Sequence, residues 1–133
     1  MKINIKRGEP RLVGTEGTIT TEGYGFLLAH IITPGAGSEV LGDPEVGDIV
    51  DAFEGPVAWL EELYVSEDLR EEGVGTAHMK MMLEELKAVG VDAAILQANP
   101  EYDEEKNRLI RFYKRFGFKV VTEPNWMVLE FPR

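Results

Sequence analysis

The pattern of apolar and polar positions changes period once, sharply, near the middle of the chain. From Ala58 to Val65 (AWLEELYV) aromatic and branched residues crowd together, the composition of a strand. Further on, Met79, Met82, Leu83, Leu86 and Val89 recur at i, i+3, i+4 and i+7 spacing, one apolar face of a helix. Gly90 follows the last of them, where a helix commonly ends in a left-handed residue. Strand and helix are joined by the turn Arg70-Glu71-Glu72-Gly73-Val74-Gly75.

The flanking pattern is less regular. Met1 to Lys6 alternates as a short strand, Gly8 to Arg11 turns, and Leu12 to Thr21 is weakly strand-like around Thr18–Thr21. Phe26 to Ile32 (FLLAHII) predicts a buried strand. Thr33 to Gly47, rich in Gly, Pro and acids, predicts a long loop or hairpin tip, and Asp48 to Phe53 another strand ending at the Gly55-Pro56 turn. Beyond Gly90, Val91 to Ala98 is apolar on both faces, as in a covered parallel strand. Asn99-Pro100 breaks it, Glu101 to Glu105 forms an acidic connector, and Lys106 to Phe116 predicts a helix with Leu109, Ile110, Phe112, Tyr113 and Phe116 on its apolar side. Gly117 ends that helix, and Phe118–Thr122 and Trp126–Phe131 predict strands joined through Glu123-Pro124-Asn125. The sum is a mixed α+β sheet flanked by helices.

Composition narrows the chemistry. A chain of 133 residues fits one domain with a sizeable core. It holds no cysteine, which excludes disulfides, thiolate metal sites and a cysteine nucleophile. No apolar run approaches a membrane span, and MKINIKRGEP has no apolar leader core, so a soluble, cytoplasmic protein without a membrane partner is expected. The net charge of −10 repels nucleic acid and favours cationic ligands, or serves solubility alone. His30 lies in an apolar run as a core or cleft histidine, His78 is expected at the surface of the first helical turn, and neither belongs to an acidic cluster that would hold a metal. Met79, Met81 and Met82 read as core filling and helix surface.

A glycine turn that opens a helix after a strand exposes backbone N–H groups at the positive end of the helix dipole, an anion site and most simply a phosphate site. The bland alternative is a plain helix-capping loop. The turn lacks the Lys-Ser/Thr ending of a Walker loop and the first glycine of the dinucleotide fingerprint. It does match Arg/Gln-x-x-Gly-x-Gly/Ala, placed shortly after Leu63-Tyr64-Val65. In this the chain resembles the GNAT superfamily of acyl-coenzyme A-dependent N-acyltransferases. A second segment, Leu109-Ile110-Arg111-Phe112-Tyr113-Lys114-Arg115-Phe116-Gly117-Phe118, is similar to the family's Phe-Tyr-x-x-x-Gly-Phe helix end, so the resemblance spans Ala58 to Phe118.

The resemblance implies a mostly antiparallel, twisted sheet and acetyl-coenzyme A as co-substrate. Arg70, Glu71, Glu72, Gly73, Val74, Gly75 and Thr76 would cradle its pyrophosphate, and Leu63, Tyr64 and Val65 would pair with the pantetheine arm. Tyr113 would protonate the departing thiolate, or else be a core aromatic with a satisfied hydroxyl. The family often has an asparagine seven residues before this tyrosine; here that position is Lys106, leaving Asn99 or Asn107 for the role. The family also places one or two helices between its first two strands, whereas the segment from Gly8 to Ala52 is punctuated by glycine and is expected to lack them. The acceptor side would then be more open or completed by a second subunit.

An acceptor amine arrives protonated and must lose a proton before it attacks. Glu61 and Glu62 precede Leu63-Tyr64-Val65, and the run resembles the acidic stretch of polyamine acetyltransferases. Strict alternation groups Glu62 with Tyr64, and Glu61 with Leu63 and Val65; the last two look like core, which favours Glu62 as base unless a bulge breaks the parity. A backbone N–H of Leu63 or Val65 would hold the oxyanion, as the family implies. The expected activity is acetyl transfer from acetyl-coenzyme A to a cationic primary amine, of a small molecule or a protein, by direct attack. The alternative is a non-catalytic acyl-coenzyme A binding or sensing module. Dimers are common in the family, and Trp126–Phe131 is expected to offer a strand edge for one.

Overall fold

The computed structural model describes residues 10–15, 17–65, 73–98 and 103–132. The expected strand at Met1–Lys6 lies outside them. The chain forms two compact units, one from Met1–Ile31 with Leu60–Gly90, the other from Ile32–Trp59 with Val91–Arg133.

In the first unit, strands β1 (Arg11–Thr15), β2 (Thr18–Glu22) and β3 (Gly25–Ile32) form antiparallel hairpins, with Val13 opposite Thr20 and Thr20 opposite Leu28. The weak strand signal over Leu12–Thr21 is thus two strands, reversed at Gly17, whose φ of 81° needs glycine. The later part of β4 (Val57–Val65) continues this sheet next to β3. Helix α3 (Val74–Val89) buries Val74, His78, Met79, Met82 and Leu86, and Gly90 closes it in the left-handed region at φ 92°. Val89, expected on the apolar face, is exposed, so the buried stripe stops at Leu86.

In the second unit, the start of β4 pairs in parallel with β5 (Ala93–Gln97), Trp59 opposite Ile95. Strand β7 (Trp126–Glu130) pairs antiparallel with β5, and β6 (Lys119–Thr122) with β7. Because β4 runs through both units, the strands follow one another as β1-β2-β3-β4-β5-β7-β6 in a mixed seven-stranded sheet, accompanied by helices. Strand β7 is therefore interior, and the edge expected at Trp126–Phe131 is not there: among the described residues the outer strands are β1 and β6. Helix α4 (Asp103–Lys114) starts within the stretch expected as a connector.

The larger correction concerns residues 33–53. No helix separates β1 from β2, as expected, but α1 (Gly37–Leu41) and α2 (Pro44–Asp51) lie between β3 and β4 where a loop and a strand were predicted. Two local devices build them. Asp43 Oδ1 accepts hydrogen bonds from the N–H of Glu45 and Val46, and Pro44 sits at the first helical position, a standard helix start. The glycines are contact points rather than breakers. A side chain on Gly47 would come within 2.5 Å of Ser38 backbone atoms, and one on Gly37 within 2.7 Å of the Gly47 carbonyl oxygen. The two helices touch backbone to backbone, and Gly37 N–H donates to Asp51 Oδ1 at 2.9 Å. This lays Val46 and Val50 onto Ile32, Val57, Ala93, Ile95, Trp126 and Val128, the core of the unit.

Gly47→Ala is expected to cost about 1–3 kcal/mol, the usual price of forcing atoms into a filled space, and to lower the thermal midpoint by several degrees. Gly14→Ala, with nothing within 4 Å of the added carbon, should be neutral or slightly stabilising in the same melting experiment.

Candidate active site

The phosphate-site candidate is the N-terminus of α3. Gly73 takes φ 84°, ψ 6°, a left-handed turn that glycine enters without strain, and its carbonyl accepts the Ala77 N–H at 3.0 Å. The N–H groups of Val74, Gly75 and Thr76 come before the first intrahelical bond, and Gly73 has no side chain to cap them. They present a concentrated positive dipole, and among the described residues an added carbon on Gly73 would meet no atom within 4 Å. Arg70, Glu71 and Glu72, the rest of the expected cradle, lie outside the described residues.

What holds this helix end is His78. Expected at the surface, it is fully buried. Its Nε2 lies 2.7 Å from the Gly23 carbonyl oxygen, which can only accept, so Nε2 carries the proton and donates. Its Nδ1 lies 2.6 Å from the hydroxyl of Thr21, also fully buried, which donates to it in the neutral ring. The first turns of α3 are thereby tied to β2 and to the β2–β3 turn. The signal was present in the sequence: His78 is four residues after Val74 and four before Met82, inside the buried stripe.

The end of β4 is pressed against the start of β3. A side chain on Gly25 would fall 2.0 Å from the Tyr64 carbonyl oxygen, so the backbones meet there only because residue 25 has none. Phe26 packs on Tyr64 with ring centroids 5.8 Å apart, and His30 Nε2 lies 2.5 Å from Glu61 Oε2. Phe26 and His30 share a face of β3 by alternation, yet their partners Tyr64 and Glu61 are three apart on β4 and would face oppositely in a regular strand. β4 therefore departs from alternation between them, and the parity argument for Glu62 over Glu61 does not hold. Both glutamates are exposed, whereas Leu63 and Val65 are half-buried.

Tyr113 belongs to the second unit, near the C-terminal end of α4. It is buried and lies edge-on to Phe112 and Phe118, at centroid distances of 5.3 and 6.1 Å. Desolvation pushes its phenol up to about 12. Asn107 falls on α4, with its side chain outside the description, and Asn99 lies outside the described residues. Among the described residues no group of three or more acidic or imidazole side chains could hold a metal ion.

The sequence profile of the acetyltransferase (GNAT) family matches residues 24–118, from the β2–β3 turn through β4, α3 and Tyr113. The chain belongs to the GNAT acetyltransferase family. Comparison with curated protein sequences gives no match. Among solved structures, Arabidopsis thaliana NAA60 in complex with a bisubstrate analogue is similar at a TM-score of 0.62 and 18% identity, over 90% of this chain and 80% of that one. A mosquito arylalkylamine N-acetyltransferase like 5b is similar at 0.61 and 12% identity, over 86% of this chain and 74% of that one. A Brucella melitensis GNAT acetyltransferase in complex with acetyl-CoA is similar at 0.52 and 18% identity; this chain, 87% of it aligned, spans 58% of that protein's length. At such identities the likeness is one of fold, and this GNAT chain shares the family's fold with them.

The buried phenol has a measurable consequence. Only the phenolate is charged, so the folded protein keeps the Tyr113 proton to higher pH than the unfolded chain does. The stability linked to that difference is intact below about pH 10, the ordinary tyrosine value, and is lost as pH rises through about 12. Ultraviolet phenolate titration should show a late-ionising phenol, and Tyr113→Phe should delete that step.

Proposed function

We propose that the chain is an N-acetyltransferase that moves the acetyl group of acetyl-coenzyme A to a cationic primary amine by direct attack. The observation that carries this reading is the uncapped N-terminus of α3 directly behind Gly73, within the span matched by the family. Val74, Gly75 and Thr76 would supply N–H groups to the pyrophosphate. Leu63, Tyr64 and Val65 would line the pantetheine arm, with a backbone N–H of Leu63 or Val65 on the developing oxyanion. The exposed carboxylates Glu61 and Glu62 suit an acceptor that arrives as an ammonium ion, and the acidic chain argues against nucleic acid as partner.

Tyr113 would act on the leaving group. A phenol held near 12 is protonated at neutral pH, so it is a donor and not a base. Complete transfer to a thiolate of ordinary pKa, about 8.5, runs uphill, so its contribution is a hydrogen bond that strengthens as charge gathers on sulfur. The binding-only alternative keeps the cofactor loop without turnover, and Tyr113→Phe separates the two readings.

Calorimetric titration of acetyl-coenzyme A tests the first part. Micromolar binding is expected, and Gly73→Glu should abolish it by setting a carboxylate against the pyrophosphate. Gly73→Asn, which tolerates the left-handed turn without adding charge, should largely retain it. No binding by the folded protein would sink the reading. For the second part, Tyr113→Phe should leave binding intact and lower turnover by about 100-fold, the range for losing one hydrogen-bond donor to charge that develops in the transition state. Unchanged turnover would remove Tyr113 from the mechanism.

A further inference from the structure

We propose that His78 is a positioning residue for the cofactor. Acting through the β2–β3 turn, it sets the start of α3 at a fixed spacing from the end of β4, so that one acetyl-coenzyme A molecule is met at its pyrophosphate and its pantetheine arm together. This rests on the acetyl-coenzyme A reading and names the residue that tunes affinity within it.

Three observations carry it. First, among the described residues the buried side chains are apolar or aromatic apart from Thr21 and His78, and these two bond each other at 2.6 Å. Packing does not call for an imidazole there, since Val74, Met79, Met82 and Leu86 fill the rest of the buried stripe. A buried hydrogen-bonded pair exchanged for apolar groups of like shape can be nearly neutral in stability, so stability alone is a poor reason for this one. Second, the bonds fix position in a way that apolar contact does not. His78 lies four residues after Val74, on the same face and one turn into the helix. Nε2 donates to the Gly23 carbonyl oxygen at 2.7 Å while Nδ1 accepts from Thr21, so both nitrogens are committed and the ring has one orientation. Third, the turn that His78 grips is braced against β4. Gly23 N–H donates to the Gly25 carbonyl at 3.0 Å. Tyr24 between them takes φ 55°, a region that residues with side chains seldom enter. Gly25 then lies so close to β4 that a side chain on it would fall 2.0 Å from the Tyr64 carbonyl oxygen.

A line of contacts thus runs from α3 through His78, Gly23 and Gly25 to Tyr64. Its ends are the two parts of the proposed cofactor site: the N–H groups of Val74, Gly75 and Thr76, and the Leu63–Val65 stretch. A ligand that engages both ends gains fully from its second contact only when the ends are already spaced to match it. Loosening the middle of the line therefore weakens the joined ligand, whereas a fragment that engages one end is indifferent to it.

The test is calorimetric titration of acetyl-coenzyme A and of S-acetylpantetheine, which has the acetylated arm but no pyrophosphate. The proteins compared are the native chain, His78→Leu, His78→Gln and Thr21→Val. Leu fills the space without donating; Gln keeps an N–H for the Gly23 carbonyl. His78→Leu is expected to weaken acetyl-coenzyme A about 10-fold, the low end of what losing a partner behind a directly bound group costs, and to leave S-acetylpantetheine within about 2-fold of native. His78→Gln should stay within about 3-fold of native for both ligands, a rescue that a packing role alone does not produce. Thr21→Val frees the ring to turn and should fall between the two; it takes the place of His78→Leu if that variant does not fold. Native acetyl-coenzyme A affinity in the variant so used, equal losses for the two ligands, or equal losses in His78→Leu and His78→Gln overturns the positioning role and leaves the acetyltransferase reading standing. No binding of acetyl-coenzyme A by the folded native protein overturns both.

Discussion

The hydrogen bonds of His78 are the constraint on which the first unit turns. A helix that begins at a bare glycine has no side chain to anchor its first turn, and an anion site needs its N–H groups held in one place. His78 supplies that anchor from inside the helix, bonding Thr21 and the Gly23 carbonyl at 2.6 and 2.7 Å in a fully buried setting. Low local dielectric makes such bonds costly to break, because each buried polar atom then loses its partner entirely. The β2–β3 turn held by His78 leads straight into Gly25, whose missing side chain lets β3 lie against the Tyr64 carbonyl. One buried imidazole thus connects the helix terminus, the turn and the irregular end of β4.

Much of this was legible in the sequence. The period change from β4 to α3 and the glycine after Val89 fell where the pattern placed them, because burial of one face imposes those periods directly. The same holds for β5, whose two-sided apolar run is covered on both faces. The matches to Gly73–Gly75 and Tyr113 were legible for a different reason: they are motif positions, carried by resemblance rather than by period.

The misreadings share one cause. A sequence shows which residue types are present but not what stands opposite them. Gly37 and Gly47 look like helix breakers along the chain; in space each removes a clash with the other helix, and the helices form because of them. The Asp43-Pro44 start was a visible counter-signal, outweighed by glycine count. His78 looked polar and therefore external, although its place in the stripe said otherwise; Thr21 and the Gly23 carbonyl, 57 and 55 residues earlier in the chain, together satisfy both ring nitrogens and allow its burial. Trp126–Phe131 was expected to offer an edge, but β5 and β6 pair with it on its two sides.

The departure of β4 from alternation also decides what its side chains can do. In a regular strand Glu61 and Glu62 would be sorted by parity alone, one to each face, and the core-like Leu63 and Val65 would send Glu61 inward with them. Once the strand is irregular between Glu61 and Tyr64, a residue's face is set by its cross-strand partner instead: His30 for the carboxylate, Phe26 for the phenol ring. The irregularity spends some ladder regularity to bring a polar pair and an aromatic pair onto one face of β3, which regular pleating forbids. On the proposed reading, the backbone N–H groups and the carboxylate that β4 would offer come from this same irregular stretch.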